Sequence, residues 1–249
     1  MPFSTFSGFM RIGKFGFVNN FMPYYKLEKD GKYEVVEGTP KTLAKLFESG
    51  EIVYAPVPTF ELIKKGYEPK RFCVASDGEV YSVIVVSKRK RLDDSPIAVT
   101  ADSMTSVNMM RIIKEEKGML NKLVVCNGSV KEMLKNFEHA LVIGDEAIKA
   151  RMRFRVLMDI GEEWKEITGL PAVFGVAVSR VDGVDEDIIE SLRWGKKNME
   201  EIVRVASEKF RLPEEFLMHY FSSLIHELGE KERKSVEVFR EMCQHYGLL

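Results

Sequence analysis

Between residues 10 and 180, short strand-type runs alternate with capped helical segments. A chain patterned this way must bury a sheet beneath helices, which favours an α/β architecture. MRIGKFGF (10–17) reads as the first strand. Thr39-Pro40 is a helix cap with proline at the first helical position, and Gly50 closes that helix. IVYAPVP (52–58) is a buried strand, 59–65 a helix stopped by Gly66, and RFCVAS (71–76) and SVIVVSK (82–88) are two further strands. The polar, proline-ended stretch 88–96 reads as a crossover to a second α/β unit. That unit holds strands at 97–100 and 122–126, a helix at 103–116 and a capping box at Ser129 and Glu132. ALVIGDEAI (140–148) is a strand running into a turn, and VFGVAVSR (173–180) is again strand-like. From Asp185 the apolar residues Ile188, Leu192, Met199, Ile202, Val203, Ala206 and Phe210 predict one face of a long helix. Pro213 opens a second helix, and Gly229 separates it from a third ending near His245.

Composition excludes several classes. The 249 residues are 45% hydrophobic and 30% charged, the balance of a folded chain, and the net charge is −1. A nucleic-acid partner is not expected, because no basic excess is present and KRKR (88–91) reads as a solvated segment. No apolar run approaches the roughly 18 residues of a membrane span, and no signal peptide is read at the N-terminus. Cys73, Cys126 and Cys243 are too few and too far apart for a disulfide framework. These features point to the cytoplasm.

The familiar catalytic motifs are missing. His226-Glu227-Leu228-Gly229 does not continue into HExxH, and His139, His219 and His245 belong to no metal-ligand spacing. GxSxG, the P-loop and GxGxxG are absent, so neither a metal nor another cofactor is expected. The histidines read as surface or packing residues.

Four polar clusters at strand ends remain, where ligands of open α/β sheets sit. Val18-Asn19-Asn20 offers amide donors and acceptors, or is simply an Asn-rich turn. Ser76-Asp77-Gly78 to Ser82 carries two hydroxyls around an ordinary Asp-Gly turn. Thr100 to Ser106 sets Ser103, Thr105 and Ser106 at a helix start, where N–H groups suit an anion; plain capping by Asp102 or Ser103 is the alternative. Gly144-Asp145 and Thr168-Gly169 permit close backbone approach or are turn residues. The residues alone therefore describe a two-lobed α/β protein for a small anionic molecule.

Five blocks carry a resemblance over residues 10 to 180: RIGKFGFVNNFMPYY (11–25), ASDGEVYSVIVVSK (75–88), TADSMTSVNMM (100–110), ALVIGDEAI (140–148) and DIGEEWKEITGLPAVFGVAV (159–178). Together they resemble the chorismate dehydratases of the futalosine route to menaquinone. The first block departs from the family's SYLN-like stretch at Gly16, Phe17 and Val18, while Asn19 aligns. Pro23 lies one position later than in that pattern. Ala172, Gly175 and Ala177 stand where the family has larger aromatics.

The resemblance implies the two-lobed fold of type II periplasmic binding proteins, with a central cleft and C-terminal helices. It implies one lobe from 1–91 and 179–249, a second from 92–178, and crossovers near 88–96 and 178–182. The implied reaction removes water from chorismate to give 3-[(1-carboxyvinyl)oxy]benzoate. Asn19 and Ser82 are expected at the reacting centre. Ser76, Asp77, Ser103, Thr105, Ser106, Asp145, Thr168 and Gly169 are expected to bind substrate. Asp77 and Asp145 are also candidates for acid–base roles. Two other readings are a 1,4-dihydroxy-6-naphthoate synthase, whose SPCPNDT-like stretch is missing here, and a non-enzymatic small-anion-binding protein.

Overall fold

The structure is a computed structural model that describes residues 9–101 and 103–249. Asp102, a possible helix cap, lies outside them. The chain begins with β1 (Arg11–Phe15), a single turn of 3-10 helix, α1 (Phe21–Asp30), β2 (Glu34–Gly38), α2 (Pro40–Ser49), β3 (Tyr54–Pro58), α3 (Thr59–Lys65) and β4 (Phe72–Ser76). It continues through β5 (Val83–Ser87), β6 (Ile97–Val99), α4 (Met104–Glu116), β7 (Leu123–Val125), α5 (Val130–Asn136), β8 (His139–Ile143), α6 (Gly144–Arg151), β9 (Arg155–Asp159) and α7 (Ile160–Thr168). β10 (Ala172–Ser179), α8 (Val184–Lys197), α9 (Met199–Phe210), α10 (Glu214–Ser223), β11 (Leu224–Glu227) and α11 (Glu230–His245) complete it.

Local chemistry explains many of these limits. Thr39 accepts the Thr42 N–H as N-cap of α2, and Ser129 and Glu132 form the expected capping box of α5. The strands sort into two mixed sheets. One has the order β11-β4-β10-β3-β1-β2, and the other β7-β6-β8-β5-β9. β5 shows why the second sheet is so apolar. Val83 and Val85 face the large core, while Ile84 and Val86 face a smaller one, so the strand is buried on both sides.

Sheet membership corrects the expected lobe boundaries. β5, placed in the first lobe by its sequence, pairs with β8 and β9 of the second sheet. β10, placed in the second lobe, pairs with β3 and β4 of the first. The chain therefore crosses at 77–82 and again at 169–171, one strand ahead of each expected crossover. The polar stretch 88–96 is a loop within the second unit, and its basic residues Lys88 and Arg89 pair with Glu138. Asp159, N-cap of α7, accepts the N–H groups of Val80 and Tyr81 at 2.9 and 2.8 Å and fixes the first crossover. Burial pushes its carboxyl pKa up, and those donors act in the opposite direction.

The C-terminal region also differs. The apolar stripe from Ile188 to Phe210 spans two helices, α8 and α9, which break at Asn198. Between α10 and α11 the chain forms β11, an added edge strand on β4. Four residues with no helical period are invisible to an amphipathicity argument, and their strand state comes from pairing with β4.

Candidate active site

A cavity lies between the two sheets, enclosing about 530 Å³ of non-atom space with the open solvent at its mouth included. Asn19 reaches it from the turn after β1, Ser82 from the first crossover, and Ser103, Thr105 and Ser106 from the start of α4. Residues more than 80 positions apart meet because the crossover at 77–82 folds the second sheet over the first. The remaining wall is apolar, with Phe15, Phe17, Val80, Val83 and Phe174 prominent. Among the described lining residues none is charged or titratable at neutral pH.

Asn19 is 9% exposed. Its Oδ1 accepts from Asn20 Nδ2 at 2.9 Å, and its backbone carbonyl accepts from His226 Nε2 at 2.9 Å. Burial pulls the His226 pKa down to about 4, so the ring is neutral at physiological pH and Nε2 carries the proton. Ser82 is equally supported from the C-terminal region. Tyr220 of α10 donates its hydroxyl to Ser82 Oγ at 2.9 Å, and Ser82 Oγ lies 3.3 Å from the Val80 carbonyl. Burial raises the Tyr220 pKa, which keeps the phenol protonated as a donor.

At the other wall, Ser103 is N-cap of α4 by position but makes no side-chain capping bond. The first intrahelical bond there is Val107 N–H to Ser103 O, so the N–H groups of Met104, Thr105 and Ser106 precede the helical ladder. Thr105 Oγ1 accepts the Phe60 N–H at 3.1 Å and ties α4 to α3. Of the three hydroxyls, that of Thr105 thus has a structural partner from the neighbouring helix.

Four expected substrate contacts stand off the cavity. Ser76 is fully buried and its hydroxyl closes the turn onto Gly78 O at 3.0 Å. Asp77 faces outward and pairs with Lys165 at 3.0 Å. Thr168 donates to Trp164 O at 2.7 Å within α7, and Gly169, at φ +71°, is the C-cap of that helix. Their polar character serves turns and helix ends. Asp145 lies next door, on an adjoining cavity that shares Phe17 and Ile143 with the first. Its Oδ1 accepts the Val18 N–H at 2.9 Å, and burial raises its carboxyl pKa.

Two glycines shape the apolar wall. Gly144 has φ +63°, and a Cβ there would lie 2.8 Å from the Phe17 ring. A Cβ at Gly175 would lie 2.9 Å from the ring of Phe15. The small residue on β10 therefore makes room for an aromatic on β1. The exchange of large for small between the two strands that flank β3 accounts for part of the departure in the last sequence block.

Sequence reasoning missed Tyr220 and His226, and read His226 as packing or surface. No spacing marks either one; each acts through a contact with a residue more than 130 positions away. Among the described residues no group of three His, Cys, Asp or Glu side chains could hold a metal ion, and no helix is long and apolar enough to cross a membrane.

A chorismate dehydratase from Thermus thermophilus is 25% identical, with 89% of this chain and 91% of that protein covered. Among solved structures, a protein from Archaeoglobus fulgidus superposes with TM-score 0.77 at 17% identity, covering 96% of this chain and 98% of that one. The alkanesulfonate-binding protein of Xanthomonas axonopodis superposes with TM-score 0.70 at 13% identity, covering 99% and 96%. The fold is thus that of the periplasmic binding proteins. A family model described as menaquinone biosynthesis matches residues 10–245, and this chain belongs to that family.

Proposed function

We propose that the chain is a chorismate dehydratase, a hydro-lyase that converts chorismate to 3-[(1-carboxyvinyl)oxy]benzoate and water. One observation carries the reading: Asn19, Ser82 and the start of α4 converge on a single cavity whose described lining residues offer hydrogen bonds and aromatic surface but no titratable group at neutral pH. Membership of the menaquinone biosynthesis family and the Thermus relative support it.

The chemistry fits such a cavity. The C3–H bond breaks and its electron pair enters the ring, the C4–O bond breaks, and the proton released from C3 is returned to the departing hydroxyl, which leaves as water. The ring becomes aromatic, so no net oxidation or reduction is required. Orientation of a bound substrate is worth roughly 7–11 kcal/mol of barrier in well-aligned cases. Ser103, Ser106 and the N–H groups ahead of the helical ladder of α4 hold one carboxylate, with the helix dipole adding on the order of 0.3–2 kcal/mol. Asn19 and Ser82 hydrogen-bond the reacting region. The phenyl rings of Phe15, Phe17 and Phe174 face the apolar side of the substrate ring.

Asn and Ser are poor proton acceptors without an activating partner. A carboxylate of the substrate therefore takes the C3 proton, and Asn19 holds the reacting region in place. Asp145 is set aside as base because its Oδ1 is engaged by Val18 in the adjoining cavity. The three cysteines are free, which suits the reducing cytoplasm where we place the enzyme.

The test is incubation of purified protein with chorismate, followed by ultraviolet absorbance and mass. Appearance of an aromatic product lighter by one water supports the reading. Binding of chorismate without conversion would instead favour a small-anion-binding protein.

A further inference from the structure

Two side chains outside the cavity lining grip Asn19. Asn20 is fully buried, and among the described residues its side chain makes one hydrogen bond, from Nδ2 to Asn19 Oδ1 at 2.9 Å. Its own Oδ1 is buried without a partner among the described residues. His226, 1% exposed on β11, donates Nε2–H to the Asn19 carbonyl, and its Nδ1 is likewise buried and unpartnered. Its ring stacks on Phe72 at 5.8 Å, a contact an apolar ring would keep. Buried polar atoms without partners destabilise a fold. An apolar residue at either place would remove the unpartnered atom and lose only the bond to Asn19, so what each polar side chain contributes is its hold on Asn19.

We propose that Asn20 and His226 are positioning residues that lock the polarity of Asn19, turning its N–H2, and not its amide oxygen, into the cavity. An amide has one oxygen and one N–H2. Asn20 engages the oxygen, and among the described residues Asn19 Nδ2 makes no hydrogen bond. His226 fixes the backbone from which the amide projects. Burial lowers its pKa to about 4, which keeps the ring neutral, and the carbonyl it faces selects the tautomer with the proton on Nε2. Asn19 is then a donor alone towards the substrate. It binds a carboxylate or hydroxyl oxygen and cannot receive the C3 proton.

This deepens the dehydratase reading and rests on it. Asn20→Leu removes the donor and the orphan oxygen together with little change of shape. Its Tm should match or exceed that of wild type, while kcat falls about tenfold or more and KM changes less than about threefold. In a variant that folds, an activity loss that only follows a lowered Tm, or an unchanged kcat, overturns the proposal. His226→Phe keeps the stack on Phe72 and should lose activity, whereas His226→Gln returns an N–H donor and should recover most of it. Equal losses in the two variants overturn the role of His226, and this pair decides if Asn20→Leu fails to fold.

A measurement without substrate separates the two readings. In ¹⁵N-labelled wild type, the Asn19 N–H2 should exchange with water faster than the Asn20 N–H2, and the reverse order overturns the lock. Expected exchange without conversion of chorismate refutes the dehydratase and keeps the lock. Conversion with reversed exchange loses the lock alone.

Discussion

Asn19 and Ser103 face one cavity from opposite sides, yet their surroundings differ in kind. Asn19 follows β1 of the first sheet and is braced twice, by Asn20 at its side chain and by His226 at its carbonyl. Ser103 follows β6 of the second sheet and makes no capping bond; the hydroxyl beside it that is tied down, Thr105, is tied to α3. One wall fixes the direction of a donor. The other offers hydroxyls and N–H groups ahead of the helical ladder, whose attraction for an anion depends little on exact angle. Direction matters for the bond that breaks, and attraction matters for holding the substrate. The braced wall should therefore govern kcat and the helix start should govern KM.

The largest effect expected from that division is at Asn19. Asn19→Asp replaces a donor by a carboxylate facing an anionic substrate, and turnover should fall by about 10²-fold or more with the fold retained. Wild-type turnover with an unchanged melt would remove Asn19 from the site and break the comparison at its root.

Acid should weaken the braced wall next. His226 titrates near 6.5 when unfolded and near 4 when folded, so the unfolded chain binds the extra proton first. Its contribution is intact above pH 6.5 and is lost as pH falls from there towards 4, by roughly 3 kcal/mol in all. Denaturant melts of wild type and His226→Gln across that range measure it. Parallel pH dependence in the two would assign the acid sensitivity elsewhere.

Ser82 sharpens the division, since it too is held from the C-terminal region. Ser82→Ala should lower kcat by about tenfold, and Tyr220→Phe, which leaves the serine in place without its donor, by less. If both raised KM and spared kcat, Ser82 would belong with the binding wall.

The smallest effects belong to the helix start. Ser103→Ala and Ser106→Ala should each raise KM a few-fold at nearly constant kcat, because the backbone donors remain. Thr105→Ala should instead lower stability by about 1–3 kcal/mol, since the buried Phe60 N–H loses its acceptor. Chorismate titration beside thermal melts separates the two. A melt that drops for Ser103→Ala with binding unchanged would make that serine an ordinary cap.

The sequence by itself determined the elements whose causes are local. Thr39-Pro40 with Gly50, Ser129 with Glu132, and the run 59–65 closed by Gly66 mark helices that appear where their caps and stops put them. It also marked Asn19, Ser82 and the 103–106 cluster, since strand ends and helix starts are visible as changes of pattern. Tertiary structure alone decided which sheet each strand joins. β5 and β10 are apolar enough for either sheet, and only pairing partners distinguish the two. The same holds for Ser76, Asp77, Thr168 and Gly169, which share the composition of a binding loop but spend their polar groups on turns, a lysine and a helix end. Tyr220 and His226 were legible nowhere in the sequence. A hydrogen bond to a residue more than 130 positions away leaves no local pattern, and exists only once β11 and α10 have closed the first sheet against the crossover.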